Sequence, residues 1–227
     1  ADIRATNISY KENKMHFSLN ITNLKKDSKK NYEIEFSMIG LHNIQNALAA
    51  IATGIELKIP ITQIKKTLKN FTGVQRRFQE VGRFKNTCII DDYGHHPAEI
   101  NSALAAARLI TPKNKIISIF QPHRYSRLRD LFDDFCSCFN DADYVLLLDV
   151  YSAGEEPITN CESTNLEIGL FKHGHKNVSY IKDQKTLIKI LLNLVQPNDL
   201  IICLGAGSIT KIANKLEDNL NHECKSI

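Results

Sequence analysis

The sequence predicts an α/β chain in two parts, the second a Rossmann-like, doubly wound domain with a mostly parallel sheet. Two observations carry this. From residue 87 to 205, five short and nearly continuous apolar runs alternate with stretches of helical spacing, as expected of strands buried on both faces and joined by crossover helices. Before them, residues 1 to about 38 place apolar side chains at every second position, the period of strands with one face on a core and one in water. The boundary is expected between Gly82 and Asn86, giving parts at residues 1–84 and 85–227.

In the first part the chain opens ADIRATNISY, without Met and already strand-like, and so reads as a piece of a longer protein. MHFSL (15–19) and YEIEFSM (32–38) predict an antiparallel hairpin around the lysine-rich LKKDSKK (24–30). Leu48, Ile51, Ala52 and Ile55 recur at helical spacing within residues 40–57, and a second helix follows Pro60 through Ile61, Ile64 and Leu68. VQRRFQEVGRF (74–84) predicts the last strand of this part. In the second part the predicted strands are TCIID (87–91), KIISIF (115–120), YVLLLD (144–149), VSYI (178–181) and LIICLG (200–205). Helices are predicted over 98–109, 128–139, 166–173, 185–194 and 208–216.

Composition narrows the function classes. With 43% hydrophobic and 24% charged residues, 227 residues form an ordinary globular chain able to bury a core. The net charge of +4 is only mildly basic. No basic face interleaved with aromatic residues suggests nucleic-acid binding. No apolar run approaches the roughly 20 residues that span a bilayer, and no secretory signal opens the chain. The six cysteines are too irregularly spaced for a disulfide scaffold. Cys88 and Cys203 lie in apolar runs, and Cys136 and Cys138 form C-x-C rather than C-x-x-C, so a reducing, cytoplasmic compartment is expected.

In a doubly wound domain, ligands sit outside the carboxyl ends of the strands. DDYGHHP (91–97), QPHRYSR (121–127), DVYSAGEEP (149–157) and GAGS (205–208) follow the first, second, third and last of its parallel strands, so all four loops should share one sheet edge. Arg124 and Arg127 are three apart at a strand-to-helix turn and can face one way. Guanidinium groups bind carboxylate or phosphate in a bidentate fork; the competing reading is a surface ion pair with Asp130 or Asp133. Asp91, Asp92, Tyr93, His95 and His96 suit substrate hydrogen bonding, general-base catalysis or a metal. Alternatively they cap a helix that begins at Pro97. Adjacent imidazoles diverge and no third ligand is spaced for zinc, so no metal ligand is assigned.

Three further groups leave two readings open. His42, Asn43 and Asn46 stand at a helix start, where Asn43 is an N-cap or the amides read an adenine edge. Arg76 and Arg77, in an alternating strand, point to opposite faces, one functional and one solvated. GAGS is a tight turn or a phosphate cradle. No G-x-x-x-x-G-K-[ST] loop occurs; the nearest string, GLFKHGHK (169–176), has His175 where the lysine belongs. No G-x-S-x-G elbow occurs either.

Taken in order, GLHNIQNALAA, FTGVQRRF, IIDDYGHHPAEI, FQPHRYSR, DVYSAGEEPI and LGAGSI resemble the Mur ligase family over essentially the whole chain. The resemblance implies an ATP-dependent carboxylate–amine ligase that joins L-alanine to UDP-N-acetylmuramate in peptidoglycan precursor synthesis. A murein peptide ligase of the same family is the second reading, and a small-anion-binding α/β module without ATP chemistry the third. It also implies that residues 1–84 are the latter part of a central ATP-binding domain and 85–227 a C-terminal amino-acid-binding domain. A UDP-substrate domain, the phosphate loop and the Mg2+ ligands would then lie outside this sequence, supplied in cis or by another chain, and the chain alone would be inactive. By resemblance, His42 and Asn46 contact adenine with Asn43 nearby, Arg77 reaches the ATP phosphates, and Asp92 joins the nucleotide side. Tyr93, His95, Arg124 and Arg127 surround the alanine, the arginines on its carboxylate, with His123 supporting the loop. His95 is the candidate general base.

Overall fold

The computed structural model describes residues 2–23 and 28–225. The chain divides between Val74 and Gln75 into two compact units.

The first unit is a three-stranded antiparallel sheet under two helices. Strands β1 (Ile3–Lys11), β2 (Lys14–Asn23) and β3 (Ser28–Phe36) pair in chain order. The hairpin predicted around residues 24–30 is the β2–β3 pair, with Met15 opposite Phe36 and Phe17 opposite Ile34; residues 24–27 of its turn lie outside the described residues. The period of two sends Met15, Phe17 and Leu19 to one face. There they meet Ile44, Ala47 and Ile51 of α1 (Leu41–Glu56) and Ile64 and Leu68 of α2 (Ile61–Asn70). Both helices fall where their apolar spacing put them, and α2 starts directly after Pro60.

The second unit is built on a six-stranded sheet in the order β4-β5-β9-β6-β7-β8. Its strands are β4 (Gln79–Phe84), β5 (Thr87–Asp92), β6 (Ile116–Phe120), β7 (Tyr144–Leu147), β8 (Val178–Tyr180) and β9 (Leu200–Leu204). All but β4 run parallel. Here the sequence reading needs correction. The segment expected to close the first part is instead the antiparallel edge of this sheet, so the structural division comes ten residues before the expected 84/85 boundary. The reason is local. Lys85 and Asn86 both have positive φ, 50° and 65°, so a two-residue turn of the kind that suits strand twist folds β4 back onto β5.

Strand residues alternate between two cores. Ile90, Ile116, Phe120, Val145, Leu147, Leu200 and Ile202 face α3 (Pro97–Ile110), α5 (Phe132–Ser137) and α6 (Ser163–Lys172). Ile89, Ile117, Ile119, Leu146, Ile201 and Cys203 face α7 (Gln184–Leu194) and α8 (Ile209–Lys225). The single helix predicted over 128–139 is two, α4 (Tyr125–Asp130) and α5, broken where Leu131 leaves helical geometry at φ −122° and ψ 26°.

Phe120 is wholly buried at the end of β6, its ring 5.7 Å from that of Phe135 and 5.3 Å from that of Phe139. Phe120→Ala is expected to cost about 3–5 kcal/mol of stability, read from urea unfolding of the second unit's transition; a negligible loss would mean the cluster is not packed as described.

Candidate active site

The carboxyl ends of β5, β9 and β6 meet at one edge, where main-chain bonds tie their loops together: Gly205 N donates to Asp92 O at 3.2 Å and Gln121 N to Leu204 O at 3.0 Å. At the tip of β5, Asp92 is 5% exposed. Its Oδ2 accepts from Phe78 N and its Oδ1 from Gly94 N, both at 2.7 Å. A buried carboxylate is tolerated when its lone pairs are filled in this way. Asp91, beside it, accepts the Thr210 hydroxyl at 2.6 Å and lies 3.7 Å from Arg76 Nε.

Arg76 and Arg77 do not lie on a strand, as the sequence reading had it. They occupy a turn before β4, with Arg76 and Phe78 at φ 58° and 51°. The turn still separates them. Arg76 turns inward, donating to Gly205 O at 2.6 Å, with its guanidinium 4.7 Å from the Tyr93 ring centroid. Tyr93 N in turn donates to Arg76 O at 2.8 Å. Arg77 is 47% exposed, 3.8 Å from Glu99 Oε1 and 5.6 Å from the Tyr93 ring centroid.

The cap reading of DDYGHHP holds at its last two residues. His96 is the N-cap of α3 and Pro97 its first residue. Glu99 Oε2 accepts from the main-chain nitrogens of His95 and His96 at 3.1 and 3.2 Å and lies 3.3 Å from His95 Nδ1. Burial pushes the Glu99 carboxyl up, but these bonds and the nearby His95 and Arg77 outweigh it and hold it below its ordinary value. His95 Nδ1 also sits 2.9 Å from Tyr93 O. A carbonyl only accepts, so this contact calls for a proton on Nδ1.

The two arginines of the loop have different partners. Arg127 Nη1 donates to His123 O and Nδ1 at 2.9 and 3.0 Å. Because guanidinium cannot accept, His123 is held as the neutral Nε2–H tautomer. Its pKa is lowered from 6.5 by burial first, then by the charges of Arg127, His95 and Arg124. Arg124 caps α4 with a strained backbone, φ 72° and ψ 130°. Its Nη1 lies 3.6 Å from Glu155 Oε1 in the loop after β7, not from Asp130 or Asp133, the partners in the competing reading. Asp130 pairs with Arg129. Rings run side by side across the loops: Tyr93 to His95 at 5.2 Å, His95 to His123 at 5.6 Å and His123 to Tyr151 at 5.5 Å, the last pair stacked.

GAGS is a close-packed turn. Gly205 has φ 147°, and a Cβ there would stand 2.8 Å from Gln121 O. The first amide of α8, Ile209 N, donates to Gln121 Oε1 at 3.0 Å. The turn reading therefore prevails over the phosphate cradle.

His42, Asn43 and Asn46 lie in the first unit, on the opening turns of α1. The N-cap is Gly40, not Asn43. Asn43 is buried and donates to Ile39 O at 2.8 Å, and Asn46 is exposed and donates weakly to Asn43 Oδ1 at 3.4 Å. Glu99, Tyr151, Glu155 and Gln121 were not singled out from sequence. For Glu99 a signal existed: a glutamate three residues after a helix cap is a capping-box pattern.

The second unit is a doubly wound α/β domain of the class that binds ligands outside its strand ends, with guanidinium, imidazole and phenol groups massed there. The chain belongs to the Mur ligase family: residues 76–207 match the Mur ligase, glutamate ligase domain, and residues 1–54 the Mur ligase middle domain. It is 43% identical over 222 residues to the UDP-N-acetylmuramate–L-alanine ligase of Rhodospirillum centenum, covering 97% of this chain and 46% of that protein. It is 45% identical over 221 residues to the enzyme of the same name from Parvibaculum lavamentivorans, covering 97% and 45%. The chain thus spans about half the length of the curated relatives it matches. Among solved structures, the UDP-N-acetylmuramate–alanine ligase of Thermotoga maritima shares the fold with a TM-score of 0.75 and 24% identity, over 99% of this chain and 46% of that one. A MurF ligase of the same organism, in complex with ADP, shares it with a TM-score of 0.71 and 16% identity, over 98% and 47%.

Two outcomes follow. Asp92→Asn sets an amide NH2 against one of two N–H donors and is expected to cost about 1–3 kcal/mol, measured by chemical denaturation. The His123 imidazole should titrate below 6.5 by NMR, and Arg127→Ala should move its midpoint up. With the folded pKa depressed, the unfolded chain binds more protons near that pH. The His123 contribution to stability is therefore present above pH 6.5 and lost as pH falls through the folded midpoint; an unshifted midpoint would contradict the Arg127 geometry.

Proposed function

We propose that this chain carries the amino-acid site and the adenine edge of an ATP-dependent ligase that joins L-alanine to UDP-N-acetylmuramate in peptidoglycan precursor synthesis. The observation that carries the reading is the set Tyr93, His95, His123, Arg124 and Arg127 gathered at the strand ends of one unit. In the chemistry proposed, ATP phosphorylates the muramate carboxylate to an acyl phosphate and leaves as ADP. The alanine amine attacks the acyl carbon, and the tetrahedral intermediate expels phosphate. The protein's share is positioning and neutralising charge. Arg124 and Arg127 hold the alanine carboxylate, Tyr93 and His95 face its amine, and His123 fixes Arg127. His95 suits a general base because the bond from Nδ1 to Tyr93 O leaves Nε2 free to take the amine proton.

His42 and Asn46 are assigned to adenine, Arg77 to the ATP phosphates and Asp92 to the nucleotide side. The buried amide of Asn43 favours a part in holding the start of α1, and the filled oxygens of Asp92 a part in holding its loops. Both Asp92 oxygens are held by main-chain amides, Asp91 accepts Thr210 through Oδ2 while its Oδ1 is buried without a hydrogen-bond partner, and no cluster of three or more metal-ligating groups that would hold Mg2+ occurs among the described residues. The sequence holds no G-x-x-x-x-G-K-[ST] phosphate loop, so the chain alone should release no phosphate from ATP, and the UDP-substrate and phosphate-loop functions must come from other sequence. The six unpaired cysteines favour a reducing, cytoplasmic setting. Among the described residues no helix is long and apolar enough to cross a membrane.

A methyl side chain offers little to grip, so the carboxylate contacts must supply most of the alanine affinity. In a ligase completed by the region its relatives carry beyond this chain, Arg124→Ala should raise KM for alanine by on the order of tenfold or more and leave KM for ATP nearly unchanged. Equal effects on the two substrates would refute the assignment. Phosphate release from ATP, UDP-N-acetylmuramate and alanine by the isolated chain would refute its dependence on a missing phosphate loop.

A further inference from the structure

Arg124 does not hold itself in place. Its backbone stands at φ 72°, ψ 130°, a conformation that surrounding contacts must impose on a residue with a side chain. Those contacts come from the loop after β7. Tyr151 O accepts Arg124 N at 2.9 Å, and Tyr151 N donates to Pro122 O at 2.8 Å, a short stretch of parallel pairing centred on His123 and Tyr151. The Tyr151 ring stacks on His123 with 17° between planes. Its other neighbour is Gly207, where a Cβ would meet the ring at 2.6 Å.

From the same loop, Glu155 grips the first turn of α4. Oε2 accepts Ser126 N at 3.0 Å, Oε1 accepts the Ser126 hydroxyl at 2.6 Å, and Oε1 also lies 3.6 Å from Arg124 Nη1. The Ser126 bonds, hydroxyl first, hold this carboxyl below its ordinary value, with a smaller contribution from Arg124, so it is an anion at neutral pH. An anion at the start of α4 satisfies an otherwise open amide. Its second effect is on direction. Arg124 is 48% exposed and carries a flexible stem, and a fixed negative charge at one of its nitrogens restricts where the remaining donors point.

We propose that Glu155 is a positioning residue for amino-acid binding: it orients Arg124 toward the carboxylate of the bound amino acid without touching that ligand. The proposal rests on the alanine reading given above. It separates two jobs that a cap alone would merge. Capping serves the whole loop and would affect any ligand bound there. Orientation of Arg124 serves only ligands that present a carboxylate.

The experiment uses the 227-residue chain, 15N-labelled and titrated by NMR with L-alanine and with L-alaninamide, which has the amine and methyl but no carboxylate. Wild type, Arg124→Ala, Glu155→Gln and Glu155→Ala are compared. Glu155→Gln keeps an oxygen for Ser126 and removes the charge. The expected result is that wild type prefers L-alanine, and that both Glu155 variants weaken L-alanine by about tenfold while leaving L-alaninamide where it was. Ser126 N–H should exchange faster with solvent in Glu155→Ala than in Glu155→Gln. Equal weakening of both ligands would make Glu155 a cap and nothing more, overturning the proposal, as would unchanged binding of L-alanine. Undisturbed L-alanine binding in Arg124→Ala, or none in wild type, would instead bring down the alanine reading and this proposal with it. The Ser126 exchange rates would then still report whether the Glu155 contact exists.

Discussion

The carboxylate of Asp92 is the interaction on which the rest of the site depends. It stands where β5 ends, and its two oxygens take the amides of Phe78 and Gly94. Through the first it fixes the turn that carries Arg76 and Arg77. Through the second it fixes the bend that carries Tyr93 and His95. Its own carbonyl takes Gly205 N and so aligns the glycine turn after β9. Burying an anion is costly unless every lone pair is met, so the backbone bonds that stabilise Asp92 are the same bonds that define the loop shapes. A reading of Asp92 as a ligand contact alone would miss this structural part.

From that corner the site extends as a row of rings, Tyr93, His95, His123 and Tyr151, each supplied by a strand-end loop. The two imidazoles carry their protons on different nitrogens because their partners differ. A carbonyl beside His95 Nδ1 calls for a donor there, and a guanidinium beside His123 Nδ1 calls for an acceptor. Adjacent, similar side chains thereby take separate roles, one donating from Nδ1 to a carbonyl and the other accepting there from an arginine.

Much of this was legible in the sequence, for identifiable reasons. Strands buried on both faces favour apolar residues on both, so β5, β6, β7 and β9 show as mostly apolar runs. Motif chemistry pointed to the loops, because Arg124, Arg127, Tyr93 and His95 have side chains suited to a small charged ligand. The position of β9 between β5 and β6 was not legible, since the apolar runs are alike and none encodes its neighbour. β4 is legible as a strand but not its sheet: its alternation resembles that of the first unit, and only the Lys85–Asn86 turn pairs it with β5. Glu155 and Tyr151 escaped notice because they recognise other parts of the protein, and a residue whose partner is another loop has no local pattern. Arg76 was recognised as one half of a pair, but its inward direction came from a left-handed turn that a strand reading cannot contain.

The place of β9 has a consequence for how the second unit forms. Among the described residues it is the last strand in chain order, and it is the central rung of the β5-β9-β6 ladder. A chain emerging from synthesis lays down β5 through β8 first, and the gap between β5 and β6 must then stay open until β9 arrives. Contacts so distant in sequence form slowly. In the interval, two apolar strand edges face each other unpaired, and these edges are where one copy can pair with another. Completion of the domain, and with it the glycine turn that anchors Arg76 and Tyr151, is a late event in the life of the chain.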